Sequence, residues 1–389
     1  MSTPNPISLG IVGLGSFGSS FVDLFAAHPL VHRIALCDRE PDRVAAMAKR
    51  AVVQTKLRAA DCYTSFDAIC ASDLDALAII TQPWLHAPQA VQAMTAGKHV
   101  YSAVPVVSLP DGDTILAWCN RLVETVQQSG QHYMLGETTC YRAQTMYCRR
   151  QAAAGAFGNF VYAEGEYLHD VDLPSSNLRE VRRRRLASSA GQEWAQAMGG
   201  HDISGGPMHY PTHSTSGPIF VMNAHALKVS AIGFLPPQPD PYFGDEYSNE
   251  TALFTMSNGA TMRICEFRQV GHTGEEIFRL FGTDGSFREN SWIDKTTQTL
   301  LTTAEMREPL PANVEAAFRN ISQSSDFYGG HGGSHAYLVH EFVDAIAHDR
   351  APTIDIYQAV RYMAAGVMAH KSALRDGEWL AVPDWGSGR

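Results

Sequence analysis

The sequence predicts an α/β protein in two parts. Residues 1–137 form a doubly wound parallel sheet, and residues 138–389 an α+β part with a largely antiparallel, open sheet. Three observations predict this. A short apolar run leads into a glycine-rich turn, Ile7 to Gly18. Strand-like and helix-like stretches then alternate as far as residue 136, the rhythm of a parallel sheet. From about residue 155 the pattern changes to period-two strands joined by hairpin-type turns.

The glycine turn carries the most chemistry. Ile7-Ser8-Leu9-Gly10-Ile11-Val12 reads as a buried parallel strand, and Gly13-Leu14-Gly15-Ser16-Phe17-Gly18 has the form G-x-G-x-x-G. Gly13 permits the tight turn, Gly15 lets the backbone approach a pyrophosphate, and Gly18 lets the following helix pack on the strand. That helix, with Phe21, Leu24 and Phe25 on one side, offers free N–H groups and a positive dipole end to phosphates. A second strand, Val31–Leu36, leads to Asp38, where an acid takes the adenosine ribose hydroxyls. Strand, turn, helix, strand and acid in this order predict a Rossmann dinucleotide site lined by Gly13, Gly15, Ser16, Phe17, Gly18 and Asp38. Arg39 could stack on adenine or admit a 2′-phosphate. Asp38 would repel that phosphate, so NAD is favoured over NADP.

The remaining elements follow in order. Helices are predicted near 41–50 and 66–71, with a short strand around Cys62-Tyr63. Asp75–Thr81 is a buried strand ending in Gln82-Pro83-Trp84-Leu85-His86, and a helix over 87–96 closes at Gly97. A strand at His99–Ser102, a Val104-Pro105 turn, a helix near 111–129 and a strand at His132–Gly136 complete the first part. Ligands of such sheets bind at the strand carboxyl ends, here Gly13–Gly18, Asp38, Thr81–His86 and Ser102–Pro105. In the second part Phe160–Leu168, Lys228–Phe234, Thr251–Met256, Thr261–Phe267 and Ile277–Phe281 read as strands. Ser257-Asn258-Gly259 and Gly282-Thr283-Asp284-Gly285 carry hairpin chemistry. Ser334–His348 and Ile356–Leu374 read as helices, expected to return and brace the first part.

Composition excludes several classes. At 389 residues and 45% apolar content, the chain can bury a large core. A net charge of −10 and a pI near 5.9 argue against a nucleic-acid or anionic-membrane surface. No apolar run reaches the roughly 18 residues needed to cross a bilayer. The start lacks a basic stretch followed by an apolar one, so no secretory signal is expected. Seven cysteines, with no C-x-x-C pair, read as reduced thiols in a cytoplasmic protein.

At this point the sequence resembles the glucose–fructose oxidoreductase / inositol dehydrogenase (Gfo/Idh/MocA) family across nearly its whole length. Gly13–Gly18 with Asp38, Thr81-Gln82-Pro83-Trp84-Leu85-His86 as the family's T-x-P-x-x-x-H loop, and Gly97-Lys98-His99-Val100 before a Val-Pro turn carry the resemblance. It implies bound NAD, with Thr81, Gln82, Pro83, His86, Ala103 and Pro105 joining the cofactor set. It places Trp84 beside the nicotinamide, although Trp84 as core packing is an equal reading.

Two departures separate this chain from the family's dehydrogenases. Those carry Glu-Lys-Pro after the Gly-Lys-His-Val strand, and this chain has Ala103-Val104-Pro105, without the lysine. Their Asp-x-Gly-x-His helix start is here His209-Tyr210-Pro211-Thr212-His213. That segment, with Glu166-Tyr167-Leu168-His169-Asp170 and Gly330-His331-Gly332-Gly333-Ser334-His335, is similar to the NAD-dependent redox-assisted glycosidases. The resemblance implies hydride removal from a pyranoside carbon (typically C3), elimination of the C1 substituent, addition of water and return of the hydride. It assigns His213 to the oxidised hydroxyl, Tyr210 as its partner and Tyr167 to the C2 proton. His169, Asp170, His209, His331 and His335 are then substrate-binding candidates. A net sugar dehydrogenase or reductase, and a non-catalytic NAD-binding regulator, remain as alternatives.

Rival readings accompany these residues. His209 and His213 stand at metal-ligand spacing, with His201, His331 and His335 as possible recruits, but no carboxylate or cysteine cluster completes a set. His213 could be a structural histidine, and Tyr167 and Tyr210 could be packing residues. The run Arg182–Arg185, with Arg179, reads as a solvated segment or as a binder of an anionic substrate group. The partners expected are a small sugar or glycoside and further copies of the chain, as a dimer or tetramer, because an open sheet tends to have its bare face covered.

Overall fold

A computed structural model describes residues 4–198, 205–321 and 327–387. His201 lies outside the described residues. The chain divides into two compact units, 1–107 with 118–143 and 308–359, and 108–117 with 144–307 and 360–389. The division therefore does not follow one cut at residue 137.

The first unit holds a six-stranded parallel sheet. Its strands are β1 (Ile7–Val12), β2 (Val31–Cys37), β3 (Leu57–Tyr63), β4 (Ala76–Ile79), β5 (His99–Ser102) and β6 (Tyr133–Leu135), in the order β3-β2-β1-β4-β5-β6. β1 is buried along its whole length, as its continuous apolar run requires of a strand covered on both faces. The strand order reverses between β1 and β4, and the crevice outside such a reversal is where α/β sheets take ligands. The helix predicted over 41–50 stops at Ala48. Arg50 takes extended angles (φ −69°, ψ 131°), and its guanidinium binds the carbonyl of Ser19 at 2.8 Å and Asp23 at 3.1 Å. β3 starts at Leu57, earlier than expected, because its exposed Arg58, Ala59 and Ala60 show no alternation to read.

The second unit is built on a nine-stranded sheet. β7 (Phe160–Leu168), β8 (Ala226–Phe234), β9 (Asn249–Met256), β10 (Thr261–Phe267) and β11 (Glu275–Gly282) are its long members. β12 (Gly285–Arg288), β13 (Ser291–Asp294), β14 (Gln298–Leu300) and β15 (Leu380–Ala381) extend it. The order is β14-β13-β12-β11-β7-β10-β9-β8-β15. All pairs are antiparallel except β7 with β10, which run parallel.

One helix, Thr212–Met222, is buried on every side and lies against β7, β10 and β11. Gly165 on β7 makes that seat possible, since a Cβ there would stand 1.9 Å from the carbonyl oxygen of Ser214. The opposite face of the sheet is bare at Ile232, Phe234 and Leu253. Among the described residues no helix is long and apolar enough to cross a membrane.

Candidate active site

In the first unit the glycine turn has the shape a dinucleotide needs. Gly13 sits at φ +89°, and a Cβ there would meet the Ile80 carbonyl oxygen at 2.3 Å. A Cβ on Gly18 would come within 1.9 Å of the Gly13 carbonyl oxygen, so the turn closes only with both glycines. Above Gly15 the space is open, and the nearest heavy atom to a Cβ is Arg43 Nη1 at 4.0 Å. That opening fits a pyrophosphate against the backbone.

Asp38 is buried. One oxygen accepts the Leu14 N–H at 2.8 Å and the other the Glu40 N–H at 2.9 Å, which fixes the carboxylate beside the turn with lone pairs to spare. Its cationic neighbour is Arg43 at 3.5 Å, with Arg39 exposed at the surface. Arg43 was not singled out from the sequence, because one helical turn, not adjacency, brings it back to Asp38.

The other cofactor candidates also stand at strand carboxyl ends of this unit. Thr81 donates to Gln89, Pro83 and Trp84 are buried, and Gln82 is half-buried. His86 is buried with ring nitrogens 2.9 Å from the Pro105 carbonyl and 3.3 Å from that of Thr81, so it ties the loops after β4 and β5 together. Ala103, Val104 and Pro105 are buried and carry no titratable group.

His331 and His335 fold with the same unit, beside the glycine turn. His331 Nδ1 lies 3.1 Å from His335 Nε2, and the Phe17 ring meets both imidazoles edge-on at 5.7 Å. His335 stacks on Phe21 at 4.3 Å, and burial pushes its pKa down to about 3. Ser16 is exposed on the turn. Glu137, at the end of β6, is a fully buried carboxyl accepting the Thr139 N–H at 2.9 Å.

In the second unit the residues predicted to move protons come together. His213 is buried near the start of the Thr212–Met222 helix, which begins after Pro211, a residue suited to a first turn. The Tyr167 ring meets His213 edge-on at 5.1 Å, and Tyr210 lies 5.6 Å from it on another side. Glu276 on β11 stands 3.9 Å from His213 Nδ1.

Tyr167 is engaged with His169 at 2.5 Å, and His169 Nε2 is 3.0 Å from the carbonyl of Ser176. A carbonyl only accepts, so Nε2 holds the proton and Nδ1 of the neutral ring receives the Tyr167 O–H. Burial lowers the His169 pKa, which keeps that lone pair available. Burial also raises the Tyr167 phenol well above its usual value, with Arg268 working the other way.

Two further residues of this cluster, Glu266 and Arg268, were not singled out. β10 buries Met262, Ile264 and Glu266, Arg268 is buried just past its end, and buried charges demand a reason.

Other candidates take structural places. His209 donates from Nδ1 to the Leu109 carbonyl at 3.1 Å and packs edge-on to His370 at 4.6 Å. Burial pushes it down to about 3. It anchors the segment before Tyr210 from within the core. Asp170 accepts the N–H groups of Asp172 and Val270, closing two turns.

Among the described residues no three His, Cys, Asp or Glu side chains gather to hold a metal ion. The arginine run is helical, Leu178–Ala187. Arg179 is clamped between Asp172 and Asp240, Arg182 covers the Tyr242 ring at 4.4 Å, and Arg183 pairs with Glu180. Arg179 and Arg182 thus fasten the helix.

Comparison with known proteins places this geometry. Residues 7–137 match the family described as oxidoreductase family, NAD-binding Rossmann fold (GFO_IDH_MocA), and residues 251–389 match the glycosyl hydrolase 109 C-terminal domain. The chain is thus similar to the Gfo/Idh/MocA family over residues 7–137 and to glycosyl hydrolase family 109 over residues 251–389. Its first unit is an NAD-binding Rossmann domain. A glycosyl hydrolase family 109 protein of Streptomyces niveus is 28% identical over 98% of this chain and 78% of its own length. One from Bacteroides fragilis is 25% identical over 100% and 87%.

Among solved structures, levoglucosan dehydrogenase in complex with NADH superposes with TM-score 0.74 at 18% identity, covering 97% of this chain and 99% of that one. Scyllo-inositol dehydrogenase from Lactobacillus casei, with NAD(H) and scyllo-inositol, gives 0.67 at 16%, covering 96% and 98%. These structures share the fold of this chain.

Proposed function

We propose that this protein cleaves a glycosidic bond with no net redox change, using NAD held by Gly13, Gly15, Gly18 and Asp38. The observation that carries the reading is the pairing of two proton acceptors in the second unit, His213 and the Tyr167–His169 couple. Oxidising a hydroxyl needs one base; removing a carbon-bound proton as well needs a second. The match of residues 251–389 to the glycosyl hydrolase 109 C-terminal domain supports the same reading.

When bound, NAD supplies a hydride acceptor and later returns the hydride. His213 takes the proton of the hydroxyl at the oxidised carbon, with Tyr210 steering that hydroxyl. A ketone at C3 acidifies the C2–H by delocalising the carbanion. Tyr167 takes that proton as its own passes to His169, and the C1–O bond breaks with its electron pair leaving on the aglycone oxygen, which takes a proton from water. Water adds at C1 and a proton returns to C2 by the reverse path. The substrate is a sugar or glycoside.

The bare sheet face at Ile232, Phe234 and Leu253 is covered by a second copy of the chain. Seven unbridged cysteines fit a reducing, cytoplasmic setting.

A second reading, net dehydrogenation, needs only His213 among these groups. Replacing His213 by Ala separates both from a non-catalytic NAD-binding protein. NAD should remain bound while turnover falls about 10²–10⁴-fold, the range for loss of a general base. Unchanged turnover would refute the proposal.

A further inference from the structure

The second unit contains a buried ion pair that the chemistry above leaves unused. Glu266 is fully buried; one oxygen accepts from Arg268 Nη2 at 2.6 Å, and the other accepts the hydroxyl proton of Ser214, next to His213 in sequence. The Arg268 guanidinium lies over the Tyr167 ring, 4.4 Å from its centre, with Nη1 3.4 Å from the Phe267 carbonyl. One carboxylate therefore aims a cation at the face of Tyr167 and is also tied to the helix that bears His213. A buried ion pair is weak evidence of stabilisation, since an apolar pair of equal volume often serves as well. Its place here calls for another reason.

We propose that Arg268 and Glu266 are positioning residues that set the ionisation of Tyr167. Arg268 is the cation that makes the phenol able to release its proton, and Glu266 is the counter-charge that aims and moderates it. This rests on the reading of Tyr167 as the base. The groups facing Tyr167 are Arg268 and Glu266 from β10 and the residue just past it, Glu276 from β11, Tyr210 before the helix, His213 on it, and His169 beyond β7. Burial, Glu276, Tyr210 and Glu266 all hold the phenol protonated, and Arg268 opposes them. Burial pushes the Glu266 carboxyl up, while Arg268, the Ser214 hydroxyl and His213 hold it down.

The titration itself needs no substrate, and a separate NMR run with a glycoside in D₂O reads C2–H exchange. With 3,5-difluorotyrosine at position 167, whose more acidic phenol titrates in a workable range, ¹⁹F NMR follows the ionisation in the full-length, NAD-loaded protein. Arg268→Met should move the titration up, and Glu266→Gln should move it down, each by about one to three pH units. The double variant Glu266→Gln/Arg268→Met should fall between them. It also serves if Arg268→Met alone fails to fold around an unpaired Glu266. Shifts of the same sign in both single variants, or a double variant that titrates with the parent while Glu266→Gln shows no shift, would overturn the proposal. Opposite shifts without any exchange of a sugar C2–H would instead remove the glycosidase reading and leave the ion-pair effect standing.

Discussion

Replacing Gly165 by Ala tests whether the seat of the Thr212–Met222 helix fixes the chemistry. The new Cβ would stand 1.9 Å from the Ser214 carbonyl oxygen and 2.9 Å from Ile264 Cδ1. The first is backbone inside a fully buried helix, so no flexible side-chain end can swing away. The helix must lift by more than an ångström or the strand must bend. Overpacking of this kind costs about 1–3 kcal/mol, which lowers Tm by several degrees in a chain this long. Ser214 follows His213, and a misplacement of about 1 Å at a reacting group costs on the order of 10²-fold in rate. Differential scanning fluorimetry, NAD titration and a turnover assay read the three consequences. The expected result is a lower Tm, a rate reduced about a hundredfold and unchanged NAD affinity, since the glycine turn belongs to the other unit. Parental Tm and rate would refute the close-packing account.

Two further predictions concern stability and assembly. His370 donates to Glu250 at 2.8 Å, and Glu250 also receives the Met208 N–H at 2.9 Å; burial lowers the His370 pKa, but Glu250 and Glu246 outweigh it and raise it above 6.5. A raised folded pKa contributes stability that is whole below 6.5 and is lost as pH rises through the higher value. Tm should therefore decline across that rise, and His370→Gln should flatten the decline. Ile232→Asp, placed on the bare sheet face where Ile232 is 72% exposed, should shift the protein to a smaller species in light scattering, with Tm falling as the stabilisation from assembly is lost; an unchanged mass would show that this face is not covered by a second copy.

The first unit was legible because its signals are contiguous. Turn, helix and acid lie within Gly13–Asp38, and buried parallel strands such as Ala76–Ile79 read as unbroken apolar runs. The second unit was legible only in its longer strands. β12 to β15 have two to four residues each, too few to show a period, and the parallel pairing of β7 with β10 depends on partners about a hundred residues apart. Histidine proved the most ambiguous residue type. His213 lies among the proton-transfer candidates, whereas burial lowers the pKa of both His209 and His335, and nothing local distinguishes the three. Glu266 and Arg268 reveal themselves only once β10 and the residue just past it are known to be buried at both positions.

The most direct test of the central claim is NMR of the protein, without added cofactor, in D₂O with a panel of glycosides. The account predicts released aglycone, deuterium at C2 of the freed sugar and no accumulation of NADH. NADH accumulating over an intact glycosidic bond would contradict it and establish a net dehydrogenase.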